Sequence, residues 1–370
     1  MLPEFSSKGH AFRLFSVYDE SAPRKEPPRR TMTTLTLEKV AELAGVSRST
    51  VSRVVNGQTG VKADVRERVM SIISETGYQP NMAARALASN RSGIIGVVIP
   101  HAVNTLFADP YFPRLLQGIT QASNSGDLTL TLFLFHTEEE EEKIHARLLT
   151  AGFLDGVIIA SSHFSDPLFP HLIEYEMPFV VVGRQDRYPQ ASFVDVDNFN
   201  GGYAAASHLL RLGYRRVAHI TGPMNMVAGV DRLAGYRQAL SDRGHTFDPD
   251  LVVEGDFTEA GGYVAMQRLL PARPDALFAA SDQLALGAWR AIREVGLRVP
   301  GDVAIVGFDD LLPSGTTRPR LTTIRQPVQR SGVEAVNLLL DIIDNGLTPP
   351  RRVILDTQLV IRESCGAVAL

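Results

Sequence analysis

Two different periods of apolar residues divide this chain. Between Thr36 and Thr76 they recur three and four positions apart, the spacing of one helix face. Val40, Ala41 and Leu43 form a first stripe between charged Glu38, Lys39 and Glu42. Gly45 breaks that helix where the chain can turn at little steric cost. Ser47 can cap a second helix, with Val51, Val54 and Val55 on one face and Arg48, Ser49, Ser52 and Arg53 on the other. A third helix is expected over Val61 to Thr76, burying Val65, Val69, Ile72 and Ile73; Gly77 ends it and Tyr78 packs near Pro80.

After Gly93 the period changes. IIGVVIP, LTLTLFLF, DGVIIA, FVVVG, RVAHITG, ALFAAS and VAIVGFDD are short unbroken apolar runs, the mark of strands buried on both faces. Helical candidates separate them at 113–125, 139–151, 201–212, 232–243, 259–269 and 284–295. Strands alternating with helices predict βαβ units and parallel sheets, here more than one sheet needs. GRQDRYPQAS stands where the next helix would fall, so a crossover between sheets is expected between Val182 and Val194. Further crossovers are expected at Leu321 to Gln326 and from Arg351 on. Two discontinuous lobes result, the first about 92–190 and 324–350, the second about 191–323 and 351–366.

The ends of the headpiece read differently. Residues 1–31, with SAPRKEPPRR, are expected to be a disordered extension. Met32 is an alternative start, which would leave them untranslated; a basic arm that touches phosphates is the competing reading. NMAARALASN at 81–90 favours helix but has little to bury, so it needs a partner or a groove.

Composition narrows the class. A chain of 370 residues, 44% hydrophobic, has room for two or three domains. Its single cysteine, Cys365, allows no intramolecular disulfide and no thiolate metal cluster. No apolar run reaches the length of a membrane span, and MLPEFSSKGH has no signal-peptide core; both predict a cytoplasmic protein. Residues 1–92 carry 14 Lys or Arg against 9 Asp or Glu, a net of +5 within a chain of net −4. DNA attracts such a head and repels the acidic remainder.

Two helices joined through a glycine turn make a helix-turn-helix, whose second helix can enter a major groove. Arg48 and Arg53 can donate to guanine edges or phosphates, and Ser49 can contact either. A plain helical hairpin on a solvated surface is the bland alternative. The order VAxxAGVSxxTVSRVVN resembles the helix-turn-helix of the lactose- and purine-repressor family of bacterial transcription regulators. The resemblance covers nearly everything after Met32. It implies an all-α headpiece at 32–80, a hinge helix and linker at 81–91, and an α/β periplasmic-binding-protein-like body of two Rossmann-like lobes at 92–370. The DNA-binding set it implies is Thr36, Ser47, Arg48, Ser49, Thr50, Ser52, Arg53 and Asn56, with Asn81, Ala84 and Leu87 in the hinge. There Leu87 matches the leucine that wedges between central base pairs. A linker helix with Leu87 buried against the body is the alternative.

Open α/β sheets bind ligands at strand ends. Asp109, Tyr111, Phe112, Asp195, Asp197, Arg232, Phe257, Ser281 and Asp309 stand at such ends. In the resembling family the residues matching Arg232, Ser281 and Asp309 face a small-molecule effector, and Phe257 matches a stacking aromatic. Helix caps and local packing are the competing roles for each. No GxSxG, P-loop, HExxH or strand-opening GxGxxG is present, and the histidines show no ligand spacing, so no catalytic or metal site and no cofactor is expected. The weak ITGP signal at 220–223 reads as a strand-end turn.

The expected function is therefore an effector-controlled DNA-binding regulator on the nucleoid, most simply a repressor of sugar-utilisation genes. Its partners would be double-stranded operator DNA, a small carbohydrate and a second copy of the chain. A purine- or nucleoside-responsive repressor is the runner-up, and a solute-binding protein the third reading. The sequence does not distinguish inducer from corepressor. The faces at 111–122 and 279–291 are the expected dimer surface.

Overall fold

The computed structural model describes residues 36–55, 59–78, 91–99, 106, 108–135, 137–150, 153–160, 163–313 and 316–367. The chain divides into two units between Asn81 and Met82. Asn56, Asn81, Ala84 and Leu87, the hinge reading and the extension before Met32 lie outside the described residues.

Among its described residues the first unit holds three helices: α1 (Leu37–Ala44), α2 (Arg48–Val55) and α3 (Ala63–Thr76). Thr36 caps α1, and Gly45 closes it with φ 63°, a conformation that costs most side chains energy. Val40, Ala41, Ala44, Val51, Val54, Val69 and Tyr78 form the core. Leu43 is not in it: the side chain is half exposed. Ala44 lies one turn from Val40 and three residues from Ala41, so the buried stripe runs through it and leaves Leu43 at its edge.

The second unit contains two six-stranded sheets. The first has the order β11-β5-β4-β3-β1-β2, all parallel, from β1 (Ile94–Ile99), β2 (Thr129–Leu134), β3 (Gly156–Ala160), β4 (Phe179–Val182), β5 (Ser192–Val196) and β11 (Arg352–Leu355). The second has the order β12-β10-β9-β8-β6-β7, from β6 (Val217–Thr221), β7 (Val252–Glu254), β8 (Ala276–Ala279), β9 (Ala304–Asp309), β10 (Thr322–Arg325) and β12 (Gln358–Val360). Only β12 runs antiparallel to its neighbour. β1, β3, β4 and β5 are almost wholly buried, as strands covered by helices on both faces must be.

The first crossover lies later than the sequence suggests. β5 pairs with β4 in the first sheet, joined by the loop 183–191, and the chain leaves that lobe only at Asp197. Turn-rich GRQDRYPQAS is a helix-free connection within one lobe. Asp195 therefore belongs to the first lobe. The chain returns after β10, and β11 and β12 divide its last segment between the sheets.

The helices between strands are α4 (Tyr111–Ser125), α5 (Glu138–Leu148), α6 (Leu168–Glu174), α7 (Asn198–Arg211), α8 (Val227–Asp242), α9 (Glu259–Leu269), α10 (Asp282–Glu294) and α11 (Val328–Asn345). α6 and α11 are additional to the expected set. Val328, Gly332, Ala335, Val336, Leu339 and Ile342 are the buried face of α11, at plain helical spacing. The apolar side of α4 packs into the first-lobe core through Phe112, Leu115 and Ile119, leaving Pro113, Arg114, Gln117 and Thr120 outward. Ala279 and the apolar side of α10 are likewise buried in the second lobe. The apolar residues of both expected dimer faces are thus part of lobe cores.

Candidate functional site

In the first unit the described DNA-contacting candidates lie along α2 and its cap, apart from Thr36 at the start of α1. Ser47 accepts from Thr50 N at 3.2 Å and so caps the helix. Its hydroxyl also bonds those of Ser49 and Thr50, each at 2.8 Å. Thr36 has the same capping role on α1. Arg48 Nε lies 3.0 Å from Glu38 Oε1, so this guanidinium is already paired, in an exposed ion pair of little stabilising value. Arg53 is exposed, and Ser52 is half-buried. Hence Thr36 and Ser47 order the helices, while Arg53, Ser49 and the outer edge of Arg48 are presented to solvent.

In the second unit one cavity of about 450 Å³ gathers side chains from both lobes, a volume suited to a small ligand. Asp109, Tyr111, Phe112, Asp195, Arg232, Phe257, Ser281 and Asp309 all line it. Asp197 does not. It caps α7, accepting from Asn200 N at 3.0 Å and Nδ2 at 2.6 Å. A carboxylate immediately before a helix is drawn to its free N–H groups, which here outcompete the cavity. Ser281 reaches the cavity, yet its hydroxyl accepts from Leu284 N at 3.1 Å and caps α10.

Among the described residues Arg232 is the only arginine or lysine lining the cavity, and it is 5% exposed. Its Nε donates to Asn198 Oδ1 at 2.9 Å and its Nη1 to Ala280 O at 2.6 Å. The guanidinium carbon lies 3.6 Å from the centroid of the Phe308 ring. These three contacts fix a planar group in one orientation. Burial lowers its pKa, opposed by Asp309, Asp195 and Tyr111.

The carboxylates answer to the same desolvation. Burial lifts Asp195 to about 6, against a bond from Val196 N and the charge of Arg184. Asp309 is raised well above the usual range by burial, although Arg232 favours its charged form. Gln326 Nε2 donates to Asp309 Oδ1 at 2.5 Å. Asp109 is raised by burial too and accepts from Tyr111 N at 2.9 Å. Tyr111 is pushed upward by burial first, then by Asp195 and Asp309, so its hydroxyl stays protonated and can donate.

Local backbone places the aromatic walls. Phe257 has φ 64° and Asp309 φ 118°, both in the left-handed region that favours glycine. Gly222, in the ITGP turn, leaves room for Phe257: a Cβ there would come within 2.1 Å of its ring. Tyr111 and Phe112 meet edge to face with centroids 5.4 Å apart. The lining also includes residues the sequence reading did not single out, among them His163, Met226, Asp256, Gln283 and Gln326. His163 and Gln326 come from loops whose place depends on tertiary packing, so no local pattern marks them. Among the described residues no group of three or more His, Cys, Asp or Glu could hold a metal ion, and no helix is long and apolar enough to cross a membrane.

Residues 36–81 match the family model of bacterial regulatory proteins of the lacI family, and residues 206–365 match the periplasmic binding protein-like domain. The chain is 43% identical over 333 residues to the HTH-type transcriptional regulator CelR of Thermobifida fusca, covering 89% of this chain and 98% of the relative. It resembles a solved complex of the transcriptional regulator CelR with cellobiose, with 41% identity and a TM-score of 0.72 over 89% of this chain and 99% of that one. A lac repressor dimer bound to operator and the anti-inducer ONPF superposes with a TM-score of 0.77 at 30% identity, over 90% of this chain and 99% of that one. The helix-turn-helix, the two-lobed body and these relatives together show that the chain belongs to the LacI family, as a DNA-binding transcriptional regulator.

Proposed function

We propose that the protein is a repressor of sugar-utilisation genes whose operator affinity is set by a small neutral saccharide in the interlobe cavity. The carrying observation is the composition of that cavity. Rings of Tyr111, Phe112 and Phe257 line it together with the carboxylates Asp109, Asp195 and Asp309, with Arg232 the one guanidinium among the described residues. Aromatic faces suit the apolar side of a pyranose, while carboxylates and a guanidinium bind hydroxyls by charge-assisted bonds. A phosphorylated ligand would face more negative than positive groups. The solved complex of the CelR relative with cellobiose supports a sugar in this site.

DNA recognition falls on α2, with Arg53 and Ser49 as groove contacts and Ser47 as the cap that holds them. The protein acts as a homodimer, since one recognition helix reads only a few base pairs and a two-fold operator needs two. Ligand closing the lobes changes the DNA-binding state, and the coupling is reciprocal.

The test is isothermal calorimetry of the full chain against cellobiose, glucose, glucose 6-phosphate and hypoxanthine. Binding of a neutral sugar that is lost in Arg232→Ala and Asp309→Ala supports the reading. Binding of hypoxanthine or the phosphate alone overturns it.

A further inference from the structure

Protein interiors rarely leave a buried polar atom without a hydrogen bond, so each exception asks for a partner. Four such side-chain atoms occur among the described residues: His145 Nε2, His163 Nδ1, Gln185 Oε1 and His219 Nε2. Of these residues only His163 lines the cavity. His219 is stacked between Tyr236 and Phe278, and His145 lies against Phe135 and His171, so both are explained as packed core rings.

His163 follows β3, on the first-lobe wall. Its main chain is held from two sides. Gln185 Nε2 donates to its carbonyl at 2.7 Å, and Gln185 is itself 4% exposed. The next residue, Phe164, donates its N–H to Asn225 O of the second lobe at 3.0 Å. Pro223 and Met226, which flank that acceptor, also line the cavity. The imidazole thus stands where the two walls meet, on a backbone with little freedom to turn it away.

We infer that His163 is a specificity-determining contact of the effector, its Nδ1 exchanging a hydrogen bond with a ligand hydroxyl at the junction of the lobes. The assignment rests on the saccharide reading of the cavity and extends it by one named contact. A neutral imidazole nitrogen is a donor or an acceptor according to tautomer, and a hydroxyl is both, so either tautomer is satisfied. A ligand lacking a hydroxyl there leaves the nitrogen unpaired, which is how polar sites discriminate. Because Phe164 joins the lobes one residue away, a ligand that seats His163 also favours the closed arrangement.

The test measures cellobiose affinity by calorimetry for the full chain and for His163→Ala, His163→Asn and His163→Gln, each checked by thermal melting without ligand. An asparagine side-chain amide falls where Nδ1 stands, and a glutamine amide falls nearer Nε2. Alanine and glutamine are expected to weaken cellobiose binding roughly 3- to 10-fold, the worth of one ordinary hydrogen bond. Asparagine is expected to recover most of the loss, with all melting curves close to wild type. Wild-type affinity in the alanine variant overturns the assignment while leaving the saccharide reading intact. Equal loss in the asparagine and glutamine variants overturns it too, since ring bulk rather than Nδ1 would then matter. A wild-type chain that binds no saccharide overturns the proposed function, and this contact with it.

Discussion

Arg184 and Asp231 form an ion pair between the lobes, with Nη2 3.0 Å from Oδ2. Arg184 follows Gly183 at the cavity edge, and Asp231 precedes Arg232, so the pair lies one residue from the lining on each side. Arg184 Nε is held by Asp186 at 2.7 Å, which orients the fork. Burial raises the Asp231 pKa and Arg184 opposes it, so desolvation offsets part of the pair's attraction and the pair is a moderate fastener.

Asp231→Asn should therefore favour the open arrangement. A pair of this exposure contributes about 0.5–1 kcal/mol, so saccharide affinity should fall roughly 2- to 5-fold. Small-angle scattering without ligand should show a larger radius of gyration for the variant than for wild type. Unchanged affinity and unchanged scattering would mean that the pair holds nothing shut.

Arg53→Ala should weaken operator binding more than Arg48→Ala does. Arg53 is exposed on α2, whereas Arg48 is paired with Glu38. A bidentate base contact is worth roughly 1–3 kcal/mol of discrimination. Anisotropy titrations of operator and random duplexes at one salt concentration separate a base contact from a phosphate contact, which would weaken both duplexes alike.

Gly45→Ala should destabilise the headpiece alone. Its φ of 63° places a new Cβ in the left-handed region, at a cost of roughly 1–2 kcal/mol. A calorimetric scan should show the headpiece transition at lower temperature and the body transition unmoved.

Two buried carboxylates set a pH dependence. Burial raises Asp195 to about 6 and Asp282 to about 7, above the usual 3.8. A group with a raised folded-state pKa holds its proton longer in the native protein than in the unfolded chain. Between pH 4 and 7 the native state thus binds more protons, and these groups make stability fall as pH rises. Asp195→Asn should raise the unfolding free energy at pH 7.5, by roughly 3 kcal/mol at most, and erase part of that slope. It should also weaken saccharide binding. Lower stability of the variant at pH 7.5 would contradict the assignment of desolvation as the dominant cause.

Much of this was legible before the structure. The change from helical spacing to unbroken apolar runs locates headpiece and body, because burial on one face or both is written directly into residue order. Positions after strand ends brought Asp109, Tyr111, Phe257 and Asp309 to one cavity, since parallel strands of a lobe end on the same side, and Arg232 reaches it from the second turn of α8. Asp197 failed because local capping competes with a distant cavity, and sequence position alone does not rank the two. The crossover was misplaced because a helix-free loop between neighbouring parallel strands looks like an exit from the sheet. His163 and the Arg184–Asp231 pair join segments far apart in the chain, and no period records such a meeting.

The most direct measurement is operator affinity with and without sugar. The full chain is titrated by fluorescence anisotropy onto DNA from its own upstream region at fixed salt, in the presence and absence of saturating cellobiose or related disaccharides. A neutral disaccharide should change the dissociation constant by about 5-fold or more, and Arg232→Ala should remove the change. An operator affinity that no neutral sugar alters, but that hypoxanthine or a sugar phosphate does, would contradict the account.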